Sequence, residues 1–144
     1  MNRRLLILAL PLLALARRAA AADDKKSKAV GQYVDLQPVA MPIIVNGQLV
    51  NYVFVYVRIN LTGGADVIRL RTKEPFFRDA LVRLGHRTPF VVAGDWQRID
   101  EARLSAALMR DAEAIAGPGN VASVVVTSQA PQRRVVPPRP SAPA

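Results

Sequence analysis

Residues 42–58, Pro42-Ile43-Ile44-Val45-Asn46-Gly47-Gln48-Leu49-Val50-Asn51-Tyr52-Val53-Phe54-Val55-Tyr56-Val57-Arg58, decide how this chain folds. Asn46-Gly47 is the strongest short hairpin signal in the sequence, because a type I′ turn needs positive φ at both central positions. A two-residue loop sets Val45 opposite Gln48, Ile43 opposite Val50, Met41 opposite Tyr52 and Val39 opposite Phe54. The second strand alternates cleanly: Val53, Val55, Val57, Ile59 and Leu61 fall on one side, and Tyr52, Phe54, Tyr56, Arg58 and Asn60 on the other. The aliphatic side is the better core. The aromatic side, sharing its face with Met41 in this register, is the candidate partner face: Tyr52, Phe54, Tyr56, Arg58 and Met41.

Upstream, Tyr33 to Val45 reads as an extended segment broken by Pro38 and Pro42, and proline cannot donate to a sheet ladder, so this is an edge or bulged strand. Downstream, Thr62-Gly63-Gly64 ends the long strand and the apolar spacing becomes helical: Val67, Leu70, Phe77, Leu81 and Leu84, with Phe76 and Ala80 widening the stripe. Pro75 divides this segment into a short helix or turn and a helix that starts at Pro75 and stops at Gly85. His86 to Trp96 reads as a loop containing the apolar cluster Phe90-Val91-Val92. Asp100 is the expected N-cap of another helix, with Leu104, Leu108, Ala112 and Ile115 on one face and Gly117-Pro118-Gly119 closing it. Val124-Val125-Val126 marks a final strand, Val121 to Gln129, expected to be central with both faces buried.

Charge separates the ends from the body. The 144 residues carry a net +9 with no cysteine, and the pI is near 11.0. Nearly all of that excess lies in residues 1–28 and 131–144, leaving residues 29–130 at about +1. A phosphate-tracking surface needs clustered cations on the fold itself, so nucleic acid is not the expected partner. Without cysteine, neither a disulfide framework nor a thiolate metal site is available.

The first residues, MNRRLLILALPLLALARRAAAADD, have the layout of a cleavable export signal occupying 1–22: a basic start, a twelve-residue apolar run from Leu5 to Ala16, and small residues before Asp23. Twelve residues make a helix of about 18 Å, too short for a bilayer core of roughly 30 Å. Arg3-Arg4 resembles a twin-arginine signal, and Ala20-Ala21-Ala22 supplies an A-x-A cleavage region at Ala20 and Ala22. Residues 23–32 read as a linker and residues 33–129 as the folded domain. The remainder, 130–144, is a Pro/Arg-rich tail expected to be disordered.

Candidate chemistry is thin. His86 is the only histidine, and none of Ser105, Ser123 or Ser128 sits in a G-x-S-x-G elbow, so no catalytic set emerges. Asp95, Asp100 and Glu101 lack the ligand spacing of a calcium loop and read as caps and solvated charge. The expectation is a non-enzyme with no cofactor or metal. Trp96 is read as a packing plug rather than an interface anchor, and Arg133, Arg134 and Arg139 as solvated charges of the tail.

The order of strand, hairpin, Pro-interrupted helix, second helix and valine-rich strand resembles the extracytoplasmic domain of the FliL family of flagellar basal-body-associated proteins. The residues that carry the likeness are Pro42-Ile43-Ile44-Val45-Asn46, Tyr52-Val53-Phe54-Val55, Pro75-Phe76-Phe77-Arg78-Asp79-Ala80-Leu81-Val82 and Gly119-Asn120-Val121-Ala122-Ser123-Val124-Val125-Val126-Thr127, within Tyr33 to Gln129. The resemblance implies a stomatin-like α/β (α+β) fold, a small sheet with two helices on one face. It also implies a non-enzymatic, periplasmic role by contact with flagellar stator or basal-body proteins. This chain differs in its short apolar leader and its Pro/Arg tail. Self-association is expected as well, since two helices shelter one face of a sheet that is apolar on both. Membrane contact is expected only through the signal or peripherally. The alternative is an exported carrier of a lipid or apolar ligand, with the aromatic side as pocket wall.

Overall fold

A computed structural model of the protein describes residues 31–138. The export-signal positions Arg3, Arg4, Ala20 and Ala22, most of the linker, and Arg139 lie outside the described residues. The fold is α+β: an antiparallel sheet with three helices.

The hairpin forms as the Asn-Gly pair demands. Asn46 has φ 51° and Gly47 φ 74°, between β2 (Val39–Val45) and β3 (Gln48–Leu61). Val45 pairs with Gln48 and Ile44 with Leu49, but the register then shifts and Ile43 pairs with Asn51, Met41 with Val53 and Val39 with Val55. Val50 is the extra residue of a β-bulge, and a slip of one residue turns every side chain to the opposite face. Met41 therefore does not share the aromatic face. It points with Val39 and Ile43 into the core, where all three are at most 6% exposed. The shift is driven by burial: the unbulged register would turn Val39, Met41 and Ile43 away from the core.

β3 is the spine of the sheet. β1 (Tyr33–Asp35) pairs with Arg58 to Asn60 and β2 with the earlier part of β3, in line along one edge, while β6 (Val121–Pro131) runs along the other. Pro38 falls in the gap between β1 and β2, and Pro42 lies in an edge strand, where a missing N–H is tolerated. β6 is consequently an edge strand, not a central one. Its valines alternate: Val124 and Val126 are 8% and 9% exposed, whereas Val125 is 43% exposed. Three consecutive valines here reflect one-sided burial, with register shifts on either side of them.

Helix α1 (Val67–Thr72) is capped by Asp66, whose carboxylate accepts from Arg69 N–H at 3.1 Å. Helix α2 (Glu74–Arg87) follows after Lys73, with Pro75 in its first turn. It does not stop at Gly85 but continues to Arg87. A Cβ at position 85 would sit 2.7 Å from Met41 Sδ, so Gly85 allows the helix to approach β2 closely instead of ending it. Helix α3 (Glu101–Ala116) is capped by Asp100, which accepts from Arg103 N–H at 3.1 Å, and is closed by Gly117 at φ 92°. Lys73 Nζ donates to the Ile115 carbonyl at 3.0 Å, placing a cation at the α3 C-terminus, which has no basic residue of its own in its last turn.

The expected loop between α2 and α3 contains a second small hairpin, β4 (Val91–Val92) with β5 (Asp95–Ile99), turned at Gly94 with φ 75°. Phe90 and Ile99 anchor it in the core. That core lies between the aliphatic side of β3 and the helices: Val53, Val55 and Ile59 meet Leu70, Phe77, Leu81, Leu104 and Leu108, all 0% exposed. Phe76, by contrast, is 63% exposed and does not widen the buried stripe.

Candidate functional site

Strand alternation on β3 sends Tyr52, Phe54, Tyr56, Arg58 and Asn60 away from the helices. Among the described residues no helix covers this face. Phe54 and Tyr56 are exposed, as are Val125 on β6 and Ile44 on β2, while Tyr52 is half-buried. The β6 residues opposite them are small: Ala130 faces Phe54 and Ser128 faces Tyr56. The aromatic rings thus stand above a flat surface on the most firmly held strand of the fold.

The face is apolar near the hairpin and polar near Asn60. Arg58 donates from Nε to Asp35 Oδ1 at 2.7 Å and from Nη2 to Oδ2 at 3.0 Å, a two-pronged pair. Its guanidinium lies over the Tyr33 ring, 3.8 Å from the centroid. The hydrogen bond to Asp35 raises the Arg58 pKa further, so its charge is fixed and already partnered. Asn60 Nδ2 donates to Ser123 Oγ at 2.9 Å. Of the sequence-derived face residues, Tyr52, Phe54, Tyr56 and Arg58 are brought together, and Met41 is excluded by the bulge.

One residue of importance was not apparent from the sequence. Asn51 is 4% exposed beside the bulge. Its Nδ2 donates to the carbonyls of Trp96 and Arg133, both at 2.9 Å, and its Oδ1 accepts from the N–H groups of Tyr52 and Arg133. Gln132 N–H adds a bond to the Tyr52 carbonyl at 2.8 Å. The chain beyond Gln129 is therefore held: β6 runs to Pro131 and docking continues to Arg133, whereas disorder was expected from Ala130. The one signal in the sequence is an asparagine set between Val50 and Tyr52, in the apolar and aromatic stretch 49–57.

The remaining candidates are occupied locally. His86 is exposed in the last turn of α2. Asp95 accepts from Gln97 N–H at 2.8 Å, and Glu101 accepts from Gln129 Nε2 at 2.7 Å. An open groove of about 460 Å³ is lined by Asp95, Gln97, Arg98, Glu101, Gln129 and Pro131. No group of three or more metal-ligating side chains gathers among the described residues. Trp96 is half-buried against the core, as a plug. No helix among the described residues is long and apolar enough to cross a membrane. Compared with known proteins, the chain matches no family model, no curated protein and no solved structure.

Proposed function

We propose that this protein is a non-enzymatic component of the bacterial envelope that acts by protein contact through the aromatic face of β3, in the manner of FliL-like proteins at the flagellar basal body or stator. The observation that carries this reading is the uncovered side of the sheet, where Phe54 and Tyr56 on the central strand β3 and Val125 on the edge strand β6 are 39%, 41% and 43% exposed. Exposed aromatic side chains on a flat scaffold suit a recognition surface, because they bring large contact area with little rotamer entropy to lose. The resemblance of residues 33–129 supplies the flagellar setting, and the leader-like N-terminal composition supplies the periplasmic one. A carrier of an apolar ligand needs an enclosed apolar pocket. The grooves described here are open, and each mixes apolar residues with charged or polar ones, so no observation favours it.

The test is genetic and biochemical together. Deletion of the gene is expected to impair motility, and the wild-type gene, but not one encoding Phe54→Ser and Tyr56→Ser, is expected to restore it. Tagged wild-type protein is expected to co-purify with stator or basal-body components, and the double variant to lose them. Full motility in the deletion strain would remove the flagellar assignment.

A further inference from the structure

We propose that the outer side of α1 and α2, where Ile68, Phe76 and Val82 stand among Arg69, Arg71 and Arg87, is a peripheral docking surface for an anionic lipid bilayer. This surface lies on the helical layer, away from the aromatic face, and does not depend on that face having a partner.

Three of the large exposed apolar side chains of the fold fall on these two helices: Ile68 at 79%, Phe76 at 63% and Val82 at 36% exposure. Leu70, Phe77 and Leu81 hold the inner side at 0% exposure, so with 3.6 residues per turn Ile68 stands opposite the buried stripe and Phe76 and Val82 flank it. Residues 66–87 carry six arginine or lysine residues against three carboxylates, although the body of the protein is close to neutral. Two of those carboxylates are engaged within α2, Glu74 with Arg78 and Asp79 with Arg83. Arg69, Arg71 and Arg87 form no ion pair among the described residues. Protruding apolar side chains set among unpaired arginines form the pattern of an interfacial helix that buries its apolar side chains at the headgroup boundary and attracts anionic lipid.

One further point selects the bilayer over a second copy of the chain. An isologous second copy would bring these arginines against one another, which like-charge repulsion opposes.

The absence of cysteine allows a single labelled site in the full chain. Thr72→Cys, between Ile68 and Phe76, is labelled with an environment-sensitive fluorophore, and Ser128→Cys on the aromatic face serves as control. Each protein is titrated with phosphatidylcholine vesicles, with and without phosphatidylglycerol. A blue shift at position 72 but not at 128, requiring phosphatidylglycerol and suppressed by salt, is the expected result. Arg69→Gln and Arg87→Gln should each raise the lipid needed for half the shift about fivefold, and Ile68→Ser with Phe76→Ser should abolish it while leaving the melting temperature unchanged. Because the probe reports position 72 alone, adhesion through the N-terminal stretch does not mimic the result. No shift at 72 with anionic vesicles, an equal shift with neutral ones, or a shift at both positions overturns the proposal, the first directing attention to an acidic protein instead.

Discussion

Asn51 and Gly85 show how single residues settle matters that their neighbours in sequence leave open. Asn51 satisfies both of its donors and its acceptor while tying together β3, β5 and the C-terminal segment. Asn51→Leu would remove the four hydrogen bonds that Asn51 makes, two of them to the carbonyls of Trp96 and Arg133, at about 0.5–1.5 kcal/mol each. Urea unfolding should show a loss of about 3 kcal/mol, and trypsin should cut at Arg133 and Arg134 faster than in the wild type; an unchanged cleavage rate would mean that Asn51 does not hold the segment. Glycine is the usual residue after a helix end, so Gly85 reads in the sequence as a helix stop, yet it is packed inside α2 against Met41. Gly85→Ala gains about 1 kcal/mol of helix propensity but forces Met41 to move, and overpacking costs about 1–3 kcal/mol. The substitution should therefore be neutral to destabilising in the native background and stabilising by about 1 kcal/mol in Met41→Ala, where the space is free. A double-mutant cycle by chemical denaturation checks the difference, and equal effects in both backgrounds would show that the two residues do not meet.

Elements were legible where local rules act alone, and less so where burial decides. The Asn46-Gly47 turn, the cap at Asp100 and the alternation of β3 are all local. The bulge at Val50 is not: it keeps Val39, Met41 and Ile43 facing the helices, and nothing within the hairpin itself reports where those helices lie. The β4–β5 pair leaves no mark in the sequence because two residues of strand carry no period. In β6, Val124-Val125-Val126 suggested burial on both faces, but the strand is an edge and its middle valine is open to solvent. Val125→Thr should accordingly change stability by less than about 0.5 kcal/mol, whereas Val124→Thr, which buries a hydroxyl, should cost about 1–3 kcal/mol. Urea midpoints at constant m-value measure both, and similar losses at the two positions would return β6 to the interior of a wider sheet.

At the scale of the whole molecule the fold is two-sided. Helices seal the aliphatic face of a three-wide sheet, and the aromatic face remains open among the described residues because α1, α2 and α3 all pack on the same side. That one face would lack cover followed from the count of helices against apolar strand faces; the aliphatic character of Val53 to Leu61 favoured that side as the core without deciding which face the helices cover. Whether a surface is merely exposed or is selected for contact is decided by separating stability from association. Phe54→Ser combined with Tyr56→Ser removes side chains that the fold leaves 39% and 41% exposed, so unfolding free energy should fall by about 1 kcal/mol, while Val55→Ala one step along the strand should cost about 2–3 kcal/mol through loss of a packed core group. Size-exclusion chromatography with light scattering across a concentration series should show the wild-type protein self-associating and the double variant monomeric. If the double variant instead unfolds as readily as Val55→Ala, the protein's own chain covers the aromatic face. Such a result would leave no apolar surface on the sheet for a partner to meet.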